Sequence, residues 1–314
     1  MEIPKKNGAQ LKTAVIGVGY LGNFHAQKHK NNPDVNLVGV CDFSPSQANK
    51  IAIELGTKAF NTPKDLVGKI DAVTIATTTT AHFDIAKLFL SAGVHVFVEK
   101  PITATLAQAE ELVNLAAQKN VKLAVGHIER FNPAVIEFKK HLESPLNFEF
   151  IRQGPFKARG SDVSVLHDLM IHDLDLLLWM SQSEILDFEV TGVTLLSKST
   201  DVATAYLKMK NGIEAAISVS RAAPLAQRSI RSICKGQILF ANTATMELQK
   251  IEKGTEAEPM KITNWTVDKK DALQIETQSF FDCITKNQKP EVTGEDGLKA
   301  LIWIEKIHKK IELK

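Results

Sequence analysis

Three cysteines, Cys41, Cys234 and Cys283, are all that 314 residues contain. Their odd number and wide spacing exclude a disulfide framework and fit reduced thiols in a cytoplasmic chain. Charge of one sign is not in excess either: 38 Lys plus Arg face 36 Asp plus Glu, a net of +2. With aromatics at only 6% and no long basic run, a surface built to coat nucleic acid is excluded. No apolar stretch approaches the roughly 18 residues needed to span a bilayer, so no membrane partner is expected. The opening Met1–Gly8 carries basic residues but no apolar core, which argues against a signal peptide. Internal repeats, heptads and low-complexity linkers are also missing. The remainder is a 44% hydrophobic chain too long for one typical domain. A two-domain soluble enzyme is the expectation.

The first ~125 residues alternate short apolar runs with amphipathic stretches, the pattern of a parallel sheet with crossover helices. Strands are predicted at 13–16, 36–41, 72–76, 94–98 and 123–125. Ser44-Pro45 offers a helix cap followed by proline in the first turn. Between Thr105 and Lys119, Leu106, Ala109, Leu112, Val113 and Ala116 recur at helical spacing. Beyond Gly126 the texture changes: Asn132-Pro133 opens a helix to about His141, and alternating strands follow at 147–153, 190–196, 203–208, 213–220 and 229–234. Ile213, Ala215, Ile217 and Val219 share one face, and Glu214, Ala216, Ser218 and Ser220 share the other. Such a sheet packs helices on one side and leaves the second for solvent or another subunit. A basic amphipathic helix from Gly297 ends the chain. The expected architecture is α/β: an N-terminal doubly wound parallel sheet (1–126), a C-terminal α+β domain with an open, mixed, mainly antiparallel sheet (127–294), and a last helix (295–314) returning towards the first domain.

Three motifs carry chemistry. Gly17-Val18-Gly19-Tyr20-Leu21-Gly22 follows the first strand and opens a helix, the context that gives this spacing meaning. The first glycine permits a tight turn, the second lets a pyrophosphate approach the backbone, and the third lets helix meet strand. Phosphates would sit at the helix N-terminus, where free N–H groups and the dipole favour anions. Asp42, ending the second strand, can accept from both ribose hydroxyls of NAD and repel the 2′-phosphate of NADP. A structural turn beside a surface acid is the plain alternative. The second motif, Glu99-Lys100-Pro101, follows the strand at 94–98, and carboxyl ends of parallel strands face the ligand crevice. A lone lysine there can equally be solvated surface. The third lies within Leu166–Trp179, read as one helix, where Asp168, His172, Asp175 and Trp179 step by 4, 3 and 4 into a stripe. A carboxylate one turn from an imidazole supports its basicity, as a general base requires. A satisfied core network would place the same residues there. Repeated His-Asp doublets also occur in metal-dependent phosphohydrolases, but the dinucleotide context and the lack of further closely spaced ligands point to no metal.

With these motifs in this order, the chain resembles the glucose–fructose oxidoreductase/inositol dehydrogenase/MocA-like family of nicotinamide-dependent dehydrogenases along essentially its whole length. The resemblance implies that Lys100, Asp168 and His172 meet at the nicotinamide and the reacting carbinol, with Asp175 orienting. It implies NAD contacts from Gly17, Gly19, Tyr20, Leu21, Gly22, Asp42, Thr77, Thr78, His82, Glu99 and Lys100. A homodimer or homotetramer through the C-terminal sheet is implied as well. Residues 126–133 and 168–173 are similar to the branch that oxidises C3 of UDP-linked N-acetylated sugars, for later transamination towards a diamino sugar such as that of some lipid A. For such a UDP-sugar, Arg130, Arg152 and Arg159 are candidates to grip the diphosphate, the Arg fork suiting bidentate phosphate contacts. Asn132 joins them with Lys100, Asp168 and His172 as substrate contacts, and ordinary surface or inter-strand roles stay open for each arginine. Two departures stand out: Thr77-Thr78 where many members have Thr-Pro, and Asp162-Val163-Ser164-Val165 where many have a Gly-rich run. Oxidation of another polyol, such as inositol, a free aldose or a different nucleotide sugar, and a non-catalytic NAD sensor are the alternatives.

Overall fold

The structure, a computed structural model, describes residues 10–157 and 163–313. The chain opens with β1 (Leu11–Ile16), α1 (Tyr20–Lys30), β2 (Val35–Cys41), α2 (Pro45–Leu55) and β3 (Lys58–Phe60). It continues through β4 (Ala72–Ile75), α3 (Thr79–Ser91), β5 (His95–Glu99), α4 (Leu106–Lys119) and β6 (Leu123–Gly126). Next come α5 (Pro133–Lys140), β7 (Pro145–Gln153), a π-helical turn at Leu166–Met170 and α6 (Ile171–Ser181). A run of strands follows: β8 (Ile185–Val193), β9 (Val202–Met209), β10 (Glu214–Ser220), β11 (Gln227–Cys234), β12 (Gln237–Asn242), β13 (Glu247–Lys253) and β14 (Met260–Thr266). Two helices, α7 (Ala272–Thr285) and α8 (Gly294–Glu312), end it. Two compact units result: one runs to Ile128 and takes in Leu273–Leu298, the other joins Glu129–Ala272 to the chain from Lys299 onward.

In the first unit six parallel strands are ordered β3-β2-β1-β4-β5-β6. This order reverses between β1 and β4, where open α/β sheets bind ligands beyond the strands' carboxyl ends. Helix starts follow local chemistry: Ser44 Oγ accepts from Gln47 N–H and Thr105 Oγ1 from Gln108 N–H, each at 3.4 Å. β3, three residues long, is too short to show a period, and the sequence does not reveal it. Nor does it reveal the place of α7. Phe280, Phe281 and Cys283 of that helix are buried with Leu11, Val35, Phe97 and Ala124, and Thr293 bridges to Ala124. The first unit is therefore built from two stretches of chain, where the sequence suggests one continuous domain ending at 126.

The second unit holds an eight-stranded sheet, β14-β13-β12-β11-β7-β10-β9-β8. β7 and β10 run parallel and the other neighbours antiparallel. The alternation expected of β10 is present: Ile213, Ala215, Ile217 and Val219 are buried. They pack in one core with Phe148 and Phe150 of β7, Leu174 and Leu177 of α6, and Ala300, Ile304 and Ile307 of α8. Burial of each of the larger side chains among these contributes about 1.5–3 kcal/mol. β8 begins at Ile185 and ends at Val193, earlier than 190–196 suggests, because Asp201 Oδ2 accepts from Leu195, Leu196 and Ser197 N–H and curls that segment away. On the face away from the core, Ile233, Ile238, Ile251 and Ile262 stand side by side across β11 to β14.

Candidate active site

The glycine-rich turn is shaped by contacts that only glycine tolerates. Gly17 has φ +80°, and a Cβ on it would sit 2.7 Å from the Ala76 carbonyl; one on Gly22 would sit 1.7 Å from the Gly17 carbonyl. Beside Gly19 a Cβ would meet nothing within 4 Å. The middle glycine thus leaves open space at the start of α1, whose cap supplies no side-chain acceptor to the first N–H groups. Asp42 locks the turn: its Oδ2 accepts from Val18 N–H at 2.8 Å and its Oδ1 from Ser44 N–H at 2.9 Å. A carboxylate offers about four acceptor positions, so two remain for a ribose diol. Open space, amide donors and a placed acid together fit a dinucleotide. Tyr20 and Leu21 are exposed beside this turn, and Phe43, next to Asp42, is fully exposed. Phe43 was not among the expected residues; an aromatic directly after the acid is the signal that marks it.

The loops after β4 and β5 are tied to each other. His82, buried on α3, meets the Pro101 carbonyl through Nδ1 at 2.9 Å and the Thr77 carbonyl through Nε2 at 3.2 Å. It thereby stands between Thr77 and the turn carrying half-buried Lys100, and its neutral ring donates to one of the two carbonyls. Burial lowers the His82 pKa, opposed by its contacts to the Pro101 and Thr77 carbonyls. Thr78 caps α3 by position and is exposed. Glu99 turns inward, its Oε1 2.6 Å from Nε2 of buried His25. Glu276 of α7 is also buried, neither of its oxygens has a hydrogen-bond partner among the described residues, and burial together with the Glu99 charge raises its pKa well above the usual range. His29 bridges the hydroxyls of Thr13 and Thr74 at 3.0 Å each, and burial followed by the His25 charge lowers its pKa to about 3. Neither His25 nor Glu276 stands in a recognisable motif, and their i, i+4 or non-local burial is what reveals them.

In the second unit the expected uniform helix from Leu166 is widened at its start. Ile171 N–H donates to the Leu166 carbonyl five residues back, a π turn of the kind that often marks functional sites. Asp168 sits in this turn and His172 in the first turn of α6, both half-buried. Asp175 points to Arg130: Oδ2 accepts from Nε at 2.8 Å and Oδ1 from Nη2 at 2.6 Å, with both residues buried. The Arg130 guanidinium also lies over Trp179 at 5.4 Å. Arg152 continues the buried alternation of Phe148 and Phe150. It donates to both oxygens of Asp173 and, through Nη1 at 2.9 Å, to Glu129 Oε1. Burial disfavours that charge, but the Asp173 and Glu129 carboxylates outweigh it and raise the Arg152 pKa, while Arg152 holds Glu129 below its usual value against burial. Asn132 caps α5 through Ala134 N–H and donates to the Thr243 carbonyl. Arg130, Arg152 and Asn132 thus all have internal partners, and the two arginines are buried, neither at the surface nor paired between strands. Arg159 and Asp162 lie outside the described residues.

Each unit therefore presents its own part: the glycine turn, Asp42 and the Lys100 loop in the first, the Asp168–His172 segment braced by buried arginines in the second. No helix among the described residues is long and apolar enough to cross a membrane. Residues 11–127 match an oxidoreductase family with an NAD-binding Rossmann fold, and residues 140–237 match the Gfo/Idh/MocA C-terminal domain. The chain is 34% identical over 296 residues to UDP-N-acetylglucosamine 3-dehydrogenase of Acidithiobacillus ferrooxidans, covering 93% of this chain and 94% of that enzyme. It is 26% identical over 309 residues to inositol 2-dehydrogenase of Rhizobium meliloti, covering 93% and 94%. A solved structure of the Acidithiobacillus enzyme superposes with TM-score 0.93 at 32% identity, covering 97% of this chain and 98% of that one. Matched in both of its domains and along nearly its full length, this chain belongs to the Gfo/Idh/MocA family of oxidoreductases.

Proposed function

We propose that this protein is an NAD-dependent dehydrogenase that oxidises C3 of UDP-N-acetylglucosamine to a ketone. The observation that carries the substrate is the 34% identity, over nearly the whole chain, to an enzyme of that specificity, against 26% to an inositol dehydrogenase. NAD, when bound, supplies the acceptor for the hydride leaving the sugar carbon. Gly17, Gly19 and Gly22 with Tyr20 and Leu21 hold its diphosphate, Asp42 takes the ribose hydroxyls, and Phe43 offers its ring to the adenine. Thr77, Thr78 and His82 shape the loop beside the nicotinamide end, and Glu99 supports that loop from the buried side.

His172 accepts the hydroxyl proton as the C–H bond breaks, an imidazole being suited to this near neutral pH. Asp168 holds the ring, and Lys100 stabilises the developing alkoxide. Arg130 and Arg152 serve the substrate by fixing Asp175 and Asp173, and with them the helix that carries His172. Arg159 keeps the diphosphate assignment in this scheme. The product, a keto sugar, is the kind of substrate an aminotransferase consumes. The isoleucine row on the outer sheet face, exposed at Ile233 and Ile262 and half-buried between them, supports self-association into a dimer or tetramer, since contiguous apolar surface favours an interface. The test is NADH formation against a panel of UDP-sugars, inositols and free aldoses. Turnover confined to an inositol or an aldose refutes the substrate, and binding of NAD without turnover of any of them refutes the enzyme.

A further inference from the structure

The proposed catalytic scheme leaves His167, Glu305 and His308 without a task, yet these three meet within the second unit. His167 belongs to the π-helical turn, and Glu305 and His308 lie one turn apart on α8, on one face of that helix. One donor atom from each residue, two imidazole nitrogens and a carboxylate oxygen, falls within 4.8 Å of the others. His167 Nε2 is 2.8 Å from Glu305 Oε1, and the two imidazole rings stand edge to face with centroids 5.3 Å apart. All three are half-buried, so an ion can enter from solvent. Two lysines of α8 near the cluster are engaged elsewhere: Lys306 lies 4.1 Å over the Trp303 ring, and Lys310 pairs with Glu189. Among the described residues, Glu305 has no lysine or arginine partner.

We propose that His167, Glu305 and His308 form a binding site for a divalent transition-metal ion of the zinc type. Two imidazoles and a carboxylate suit zinc, cobalt and nickel, whereas magnesium and calcium take oxygen ligands. Tetrahedral zinc with bonds of about 2.0–2.1 Å holds its ligand atoms about 3.3–3.5 Å apart. Closing the set from 4.8 Å to that size requires rotation of the half-buried Glu305 and His308 side chains. Glu312, with Oε1 3.5 Å from His308 Nε2, stands at the rim as a candidate fourth ligand. A simple hydrogen-bonded pair accounts for His167 and Glu305, but not for the convergence of a third donor that makes no hydrogen bond to that pair. The bound ion ties the turn that carries Asp168 to α8.

Chelator-treated, full-length protein titrated with zinc against a chromophoric indicator should take up one equivalent. Cobalt should develop the intense visible absorption of a tetrahedral site. Glu305→Gln and His308→Ala should each weaken zinc binding by about 10-fold or more and abolish the zinc-dependent rise in melting temperature. If His308→Ala lowers the melting temperature without metal, Glu305→Gln carries the comparison. Failure of the wild-type chain to bind an equivalent, wild-type affinity in both variants, or equal competition by magnesium overturns the site.

Discussion

Replacing Asp42 by alanine tests the cofactor site where its geometry is most explicit. The change removes two things: the acceptor for the Val18 and Ser44 N–H groups, and the charge that faces the adenosine ribose in our scheme. The first loosens the glycine turn and weakens NAD and NADP alike, so the ratio of their affinities isolates the second. For NAD, losing hydrogen bonds to a charged acceptor costs about 1.5–3 kcal/mol. For NADP, removing a unit charge about 5–6 Å from the 2′-phosphate at an effective dielectric of about 30 relieves about 2 kcal/mol. Together these shift the preference by about 4 kcal/mol, or close to 10³-fold at 1.4 kcal/mol per tenfold. Asp42 is only partly buried, and solvent screening brings the expectation to about 100-fold. Fluorescence titration with NADH and NADPH measures both constants on one preparation. If both affinities fall by the same factor, Asp42 acts only as a clamp on the turn and does not read the ribose.

Lys100→Ala and His172→Ala should each lower kcat by about 10²–10⁴-fold with NADH affinity held within a few-fold; near wild-type turnover removes that residue from the mechanism. Burial and the Glu99 charge raise the Glu276 pKa in the folded protein, and unfolding returns it to the ordinary carboxylate range. Its contribution to stability is therefore complete below about pH 4.5 and is lost as pH rises through the raised folded-state value, by at most about 1.4 kcal/mol per pH unit. Glu276→Gln should melt higher than the wild type at pH 8 and equal to it at pH 4, and a lower melting point at pH 8 contradicts the buried neutral acid. Ile251→Lys, in the middle of the outward-facing isoleucine row, should shift the chain towards the monomer in sedimentation without loss of helix or sheet signal. An unchanged sedimentation coefficient sends the interface elsewhere.

Much of this fold announces itself because its signals are local. The run of β1 into Gly17–Gly22 and α1 is one continuous stretch, and so are the caps at Ser44, Thr105 and Asn132, each filled as its residue type predicts. The alternation of β10 is legible for the same reason: a period of two needs only seven residues to declare itself. α7 has no such local marker of destination. An amphipathic helix specifies that one face will be covered but not by what, and Phe280 and Phe281 find their core with Leu11 and Ala124, far away in sequence.

The arginines show where reading by residue type stops. A fork of donors fits a diphosphate and a carboxylate equally well, so Arg130 and Arg152 are ambiguous until burial is known. The decisive pattern for Arg152 is its register: on the strand that buries Phe148 and Phe150, residue 152 must also face inward. A buried guanidinium without partners would carry a desolvation penalty of several kcal/mol, so carboxylates have to meet it, and Glu129 and Asp173 do. By the same logic Asp175, inside an apolar helix, requires a cation, and Arg130 supplies it. The ionisable residues between Asp168 and Asp175 thus divide by burial: Asp173 and Asp175 anchor the helix inward, while Asp168 and His172 stay half-buried. That division separates the groups able to touch a substrate from the groups that hold them in place, and it follows from burial and charge pairing alone.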